Sequence, residues 1–218
     1  NDARRQRQMC IRDSPNTVRH DFYKDKKVDR DLEKKYSKEF VITYVGNTSK
    51  RRGLLTVIDS LKIIQKTIPN IKLLIIGKSS FDQVIKDKIK QNQIEKLVDF
   101  IGWIKESDIP NYLSISKLGL SPLHKNIHHD TTYANKVFQY ISFGCPIVSS
   151  NVIAQSELVN KYKIGVIFED NNAFDLSNKI IELHNDKNLY SRLKQNCLDS
   201  IEKLNNSVIS NQLISIYE

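Results

Sequence analysis

The chain has 218 residues, 39% of them hydrophobic and 27% charged, with seven Gly and five Pro. That composition fits one or at most two globular domains and excludes collagen, low-complexity disorder and coiled coil. Polar residues break every apolar run short of the roughly 18 residues a membrane-crossing helix needs, and 34 Lys and Arg against 25 Asp and Glu give a net charge of +9, which points to nucleic acid, an anionic lipid face or a phosphorylated ligand.

Residues 1–13, NDARRQRQMCIRD, hold four Arg and no Lys, whereas the rest is biased toward Lys, Ile and Asn. The break marks a non-native or disordered tail; the alternative is an Arg-rich arm that grips nucleic acid. Without it, 30 basic residues still face 23 acidic ones, so the positive charge belongs to the remaining chain. Residues 14–39 read as an interdomain entry segment, in which Asp29-Arg30-Asp31 spells DxD but lies in a Lys-rich solvated run. Cys10, Cys145 and Cys197 form no CxxC pair and are odd in number. A disulfide framework is therefore not expected, and a reducing, cytoplasmic setting is.

From Phe40 onward short β-rich runs alternate with amphipathic stretches. FVITYVG (40–46) predicts a buried strand, and Leu54, Leu55, Ile58, Leu61 and Ile64 recur at helical spacing. IKLLIIG (71–77) predicts a second strand, followed by a helix over 81–91, LVDFIGW (97–103), a helix over 107–114 and LGLSPL (118–123). A helix over 135–143 ends at Gly144, PIVSS (146–150) reads as a strand, 156–160 as a short helix, and IGVIF (164–168) as the last strand. Only helices are expected beyond it. This alternation predicts βαβ units, hence a Rossmann-like parallel sheet with helices on both faces. Ligands of such sheets bind outside the carboxyl ends of the strands, where Gly46, Gly77 and Gly102 fall.

Familiar phosphate motifs are missing there. GxGxxG does not occur, and Gly77-Lys78-Ser79 lacks the Walker glycine five residues earlier, where Lys72 stands. His124, His128, His129 and Asp130 read as ordinary loop residues, so neither a metal nor a cofactor is expected. Cys145, between Gly144 and Pro146, reads as a buried small residue.

Two stretches carry chemistry. In YVGNTSKRRGLLTVI (44–58), a strand ends at Gly46, Lys50, Arg51 and Arg52 supply charge, and Gly53 opens a helix. A phosphate fits such a loop, and so does a plain solvated basic surface. In DTTYANKVFQYISFGCPIVSSN (130–151), Thr131 or Thr132 is placed to cap a helix carrying Asn135, Lys136 and Gln139. Lys136 and Gln139, three apart, share a face and suit a diphosphate and its ribose, unless Lys136 simply faces solvent.

In this order, YVG…RRGL, IKLLIIG, VDFIGWI, LGLSPL, NKVFQYISFGCPIVSS and SELV…IGVIF, preceded by Asn16-Thr17-Val18, resemble the C-terminal, donor-binding half of family 4 glycosyltransferases with the GT-B fold. The resemblance implies transfer of a sugar from a UDP- or GDP-linked donor to a glycan or lipid-linked acceptor, with retention and without a metal. It implies that Arg52 and Lys136 stabilise the leaving diphosphate and that Gly46, Asn47, Lys50, Gly53, Gly77, Thr131, Thr132 and Gln139 line the donor site. The backbone at Trp103 and Ile104 would meet the base. The basic residue usual after the strand glycine is Asn47 here, and the family's Glu-x7-Glu pair is Thr131 and Gln139. The resemblance further implies an N-terminal domain outside this sequence, toward which the stripe Leu204, Val208, Ile209, Leu213 and Ile216 would cross. A peripheral membrane contact is expected from the charge. Two alternatives share parts of this pattern: a GT-B nucleotide-sugar epimerase, and a non-catalytic basic α/β domain that binds nucleic acid. The second predicts aromatics interleaved with Lys on one surface, whereas most Tyr and Phe here fall within predicted elements, so no nucleic-acid partner is expected.

Overall fold

The computed structural model describes residues 17–19, 22–23, 29–205 and 207. The Arg-rich first thirteen residues, Asn16, and Val208, Ile209, Leu213 and Ile216 of the expected stripe lie outside them. Strands β1 (Phe40–Val45), β2 (Ile71–Ile76), β3 (Val98–Gly102), β4 (Leu118–Ser121), β5 (Ile147–Ser150) and β6 (Gly165–Phe168) form one sheet in the order 3-2-1-4-5-6. Every neighbouring pair is parallel, with Phe40 opposite Ile71, Ile42 opposite Leu118 and Ser150 opposite Phe168. The chain winds from β1 toward one edge, then returns to start again at β4. Its connections therefore part between β1 and β4, where such sheets open a crevice.

The helices are α1 (Arg30–Tyr36), α2 (Leu54–Ile64), α3 (Asp82–Gln91), α4 (Ile109–Ile115), α5 (Ile127–Thr131), α6 (Asn135–Ile141), α7 (Ile153–Tyr162), α8 (Ala173–Asn185) and α9 (Lys187–Ile201). Side chains alternate across each strand. Ile42, Tyr44, Leu73 and Ile75 pack with α2, α3 and α8 through Ile58, Leu61, Ile85, Leu176 and Ile180. On the other face Val45 and Ile76 meet α6, α7 and α9 through Val137, Phe138, Leu158 and Ile201. Each fully buried Leu or Ile contributes about 1.5–3 kcal/mol, and two covered faces explain why the strands read as continuous apolar runs.

Three local expectations are corrected. Asp29-Arg30-Asp31 is the start of α1 rather than solvated linker: the Asp29 carboxylate accepts from the backbone N–H groups of Asp31 (3.0 Å) and Leu32 (3.1 Å). The buried Tyr36 then docks that helix by donating to Asp99 Oδ2 at 2.6 Å. Helix α7 begins at Ile153 rather than Ser156, because the Asp130 carboxylate, 23 residues upstream, accepts from the Ile153 N–H at 3.1 Å. Neither Thr131 nor Thr132 caps α6, whose N-cap is Ala134 without a side-chain bond. They close α5 instead, a single turn capped by Asn126, which accepts from the His129 N–H; Thr131 Oγ1 donates back to the Ile127 carbonyl at 2.8 Å.

Candidate functional site

β1 and β2 end side by side in Gly46 (φ +125) and Gly77 (φ +139). A Cβ on Gly77 would come within 1.9 Å of the Gly46 carbonyl oxygen, so only glycine lets the two turns stack. Above them opens a cleft of about 710 Å³ at the β1/β4 switch point. Gly46 and Asn47 line it from the first turn and Arg52 from the basic loop. Trp103 and Ile104 follow β3, Thr132 ends α5, and Lys136 and Gln139 come from α6.

Lys136 does not face solvent: it is 7% exposed, and its Nζ lies 3.8 Å from the centre of the Tyr44 ring. It also touches the Gly46 turn, where an added Cβ would sit 3.6 Å from Nζ. Lys136 Nζ and Arg52 Nε are buried and have no hydrogen-bond partner. Burial, then the neighbouring Arg52 charge, hold the Lys136 ammonium well below its ordinary pKa. A cation held in this way over a ring is only partly compensated, so the cleft is built to receive negative charge.

Four expected residues lie elsewhere. Lys50 is exposed and outside the cleft. Gly53 (φ +74) sits against the Pro122 carbonyl, which leaves no room for a side chain; the helix it opens does not reach the cleft. Gly77 supports the floor from below, and Thr131 is exposed on the outer side of α5. His128, His129, Glu106 and Tyr133 line the cleft without having been anticipated. Only the pair of histidines carried a signal, and it read as loop.

Loop 124–132 is tied down by His124, whose Nδ1 lies 2.7 Å from Asp170 Oδ1, and by the Lys125 N–H, which donates to Asp170 Oδ2 at 2.9 Å. Among the described residues no group of three or more His, Cys, Asp or Glu could hold a metal ion, and no helix is long and apolar enough to cross a membrane. Cys145 is buried and its thiol is pushed up to about 12, chiefly by desolvation.

The sequence pattern of "Glycosyl transferases group 1" matches residues 25–198. The chain belongs to the group 1 glycosyl transferases. This group 1 chain is 27% identical over 195 residues to the capsular polysaccharide biosynthesis glycosyltransferase CapM of Staphylococcus aureus, across 85% of this chain and 49% of that protein. It thus spans about half the length of the curated relative it matches. Anabaena Alr3699/HepE in complex with UDP superimposes with a TM-score of 0.80 at 17% identity, over 93% of this chain and 56% of that one. The C-terminal domain of the group 1 family protein LpcC from Francisella tularensis superimposes with a TM-score of 0.67 at 18% identity, over 84% of this chain and 94% of that one. The sheet of this group 1 chain is thus the Rossmann-like layer of a GT-B fold.

Proposed function

We propose that this chain is the donor-binding half of a family 4 glycosyl transferase that holds a UDP- or GDP-linked sugar in the β1/β4 cleft. The sugar would pass to a glycan or lipid-linked acceptor, with retention at the anomeric carbon. One observation carries this reading: two cations, Lys136 and Arg52, each with a buried nitrogen lacking a partner, line one cleft beside a glycine turn. When the bond between sugar and diphosphate breaks, negative charge grows on the leaving oxygen. Fixed cations in a poorly solvated site stabilise that charge without reorganising. In this reading Arg52 and Lys136 serve where a divalent metal serves in other enzymes, and no cofactor takes part. Gln139 and Thr132 are read as partners of ribose hydroxyls, and the backbone at Trp103 and Ile104 as the edge that meets the base.

Further support comes from relatives: HepE was solved with UDP and with UDP-glucose, and CapM is named for capsular polysaccharide biosynthesis. An N-terminal domain supplying the acceptor site, cytoplasmic residence and a peripheral membrane contact through the basic surface complete the proposal. Calorimetric titration with UDP, GDP and ADP and the corresponding monophosphates tests it. One diphosphate should bind more tightly than its monophosphate, and Arg52→Ala and Lys136→Ala should each weaken it by about tenfold or more, the effect of losing a charge-assisted hydrogen bond. Absence of diphosphate binding, or variants indistinguishable from the parent, would sink it.

A further inference from the structure

The cleft holds a third polar atom without a partner, of opposite character to the other two. His129 is 2% exposed and lines the cleft, yet its Nε2 makes no hydrogen bond. Its other nitrogen is committed, since Nδ1 lies 2.7 Å from the His124 carbonyl oxygen. Asn126 Nδ2 lies 2.8 Å from the same Nδ1, but it also donates to the His124 carbonyl at 3.0 Å, and a carbonyl only accepts. We assign the ring proton to Nδ1, since both groups then donate to that one oxygen and no lone pair of the ring is pressed against it, which leaves Nε2 with a bare lone pair. Burial, with the charges of Arg52, Arg51 and His128, outweighs the bond to the His124 carbonyl and lowers the pKa of the ring, which keeps it neutral. Asn126 also holds the backbone of this residue, its Oδ1 accepting from the His129 N–H at 3.0 Å.

A diphosphate satisfies Lys136 Nζ and Arg52 Nε but has no hydrogen to offer Nε2, and its oxygens would be repelled by the lone pair. A hydroxyl has the missing hydrogen and can at the same time accept from a neighbouring donor such as Arg52. We propose that His129 is a specificity-determining residue, whose Nε2 accepts a hydrogen bond from a hydroxyl of the nucleotide sugar bound in this cleft. This rests on the donor-site reading above and adds the residue that separates the hydroxyl-bearing part of the ligand from its charged part. The hydroxyl belongs either to the ribose or to the transferred sugar.

The test compares the whole chain with His129→Leu and His129→Gln, the latter carrying an amide oxygen at about the reach of Nε2. Each is titrated with UDP, UDP-glucose, GDP and GDP-mannose, and with pyrophosphate measured by its displacement of the tighter nucleotide. His129→Leu should weaken the sugar nucleotide about three- to tenfold, the range for one lost neutral hydrogen bond, while leaving pyrophosphate within error, and His129→Gln should recover most of the loss. Equal weakening of UDP and UDP-glucose assigns the hydroxyl to the ribose; weakening of UDP-glucose alone assigns it to the transferred sugar. The proposal is overturned if pyrophosphate weakens as much as the nucleotides, or if neither variant changes any of them. Should the parent chain bind no nucleotide at all, the donor-site reading itself fails, a result distinct from both.

Discussion

The hydroxyl of Tyr140 accepts a hydrogen bond from the Val45 backbone N–H at 2.9 Å and donates to the Leu120 carbonyl at 3.0 Å. It bridges β1 and β4 just beyond Gly119, where their backbone pairing stops. The ring lies flat on Gly119, at which an added Cβ would come 2.2 Å from Cγ. One side chain of α6 thus closes the gap between strands that the crevice requires, and seats the helix that carries Lys136.

Tyr140→Phe should therefore destabilise the chain by about 1–3 kcal/mol, because a buried N–H and a buried carbonyl lose their partner at once. Thermal unfolding checks this; a melting point within error of the parent contradicts it.

Lys136→Met should act in opposite senses on stability and on binding. Removing a buried charge without an acidic partner should stabilise the free chain by about 1 kcal/mol, since the desolvation cost exceeds what the Tyr44 ring returns. The same change should abolish the preference for diphosphates. Denaturant unfolding and calorimetry on one preparation decide it, and loss of stability together with unchanged binding would refute the assignment.

The depressed Lys136 pKa also fixes a pH trend. The unfolded lysine titrates near its ordinary 10.5 and the folded one below it. Between the two values the unfolded state binds more protons, so this component of stability rises with pH across that window. A bound diphosphate restores the charged form, so binding there takes up protons. Apparent enthalpies in buffers of different ionisation heat should differ for the parent and coincide for Lys136→Met.

Gly77→Ala should cost about 2 kcal/mol or more, because a methyl group cannot share space with the Gly46 carbonyl oxygen and φ +139 is strained for any other residue. It should also weaken diphosphate binding although Gly77 does not line the cleft. A well-folded variant with parental affinity would show that the floor is more compliant than its geometry implies.

The strands and the long helices were legible because burial on both faces writes itself into composition: Ile42, Leu73 and Ile75 sit in runs too apolar to be anything else. Gly46 was legible as a strand end, and Arg52 and Lys136 through resemblance. The burial of Lys136 was not, because a lysine on a short helix reads as solvent-facing until the Tyr44 ring beneath it is known. Loop 124–132 was opaque for a related reason. A one-turn helix has no periodicity, and the contacts that shape it, Asp130 to Ile153 and His124 to Asp170, join residues 23 and 46 positions apart.

Trp103 is the one tryptophan of the sequence. It stands 65% exposed on the rim of the cleft with the Lys78 ammonium 5.7 Å from its ring centre. Excited at wavelengths that tyrosine does not absorb, the whole molecule emits from that single place. Occupancy of the cleft is therefore readable as a change in intrinsic fluorescence, with no label and no background from the rest of the fold, and Lys78→Ala should shift the starting signal without touching the cleft itself.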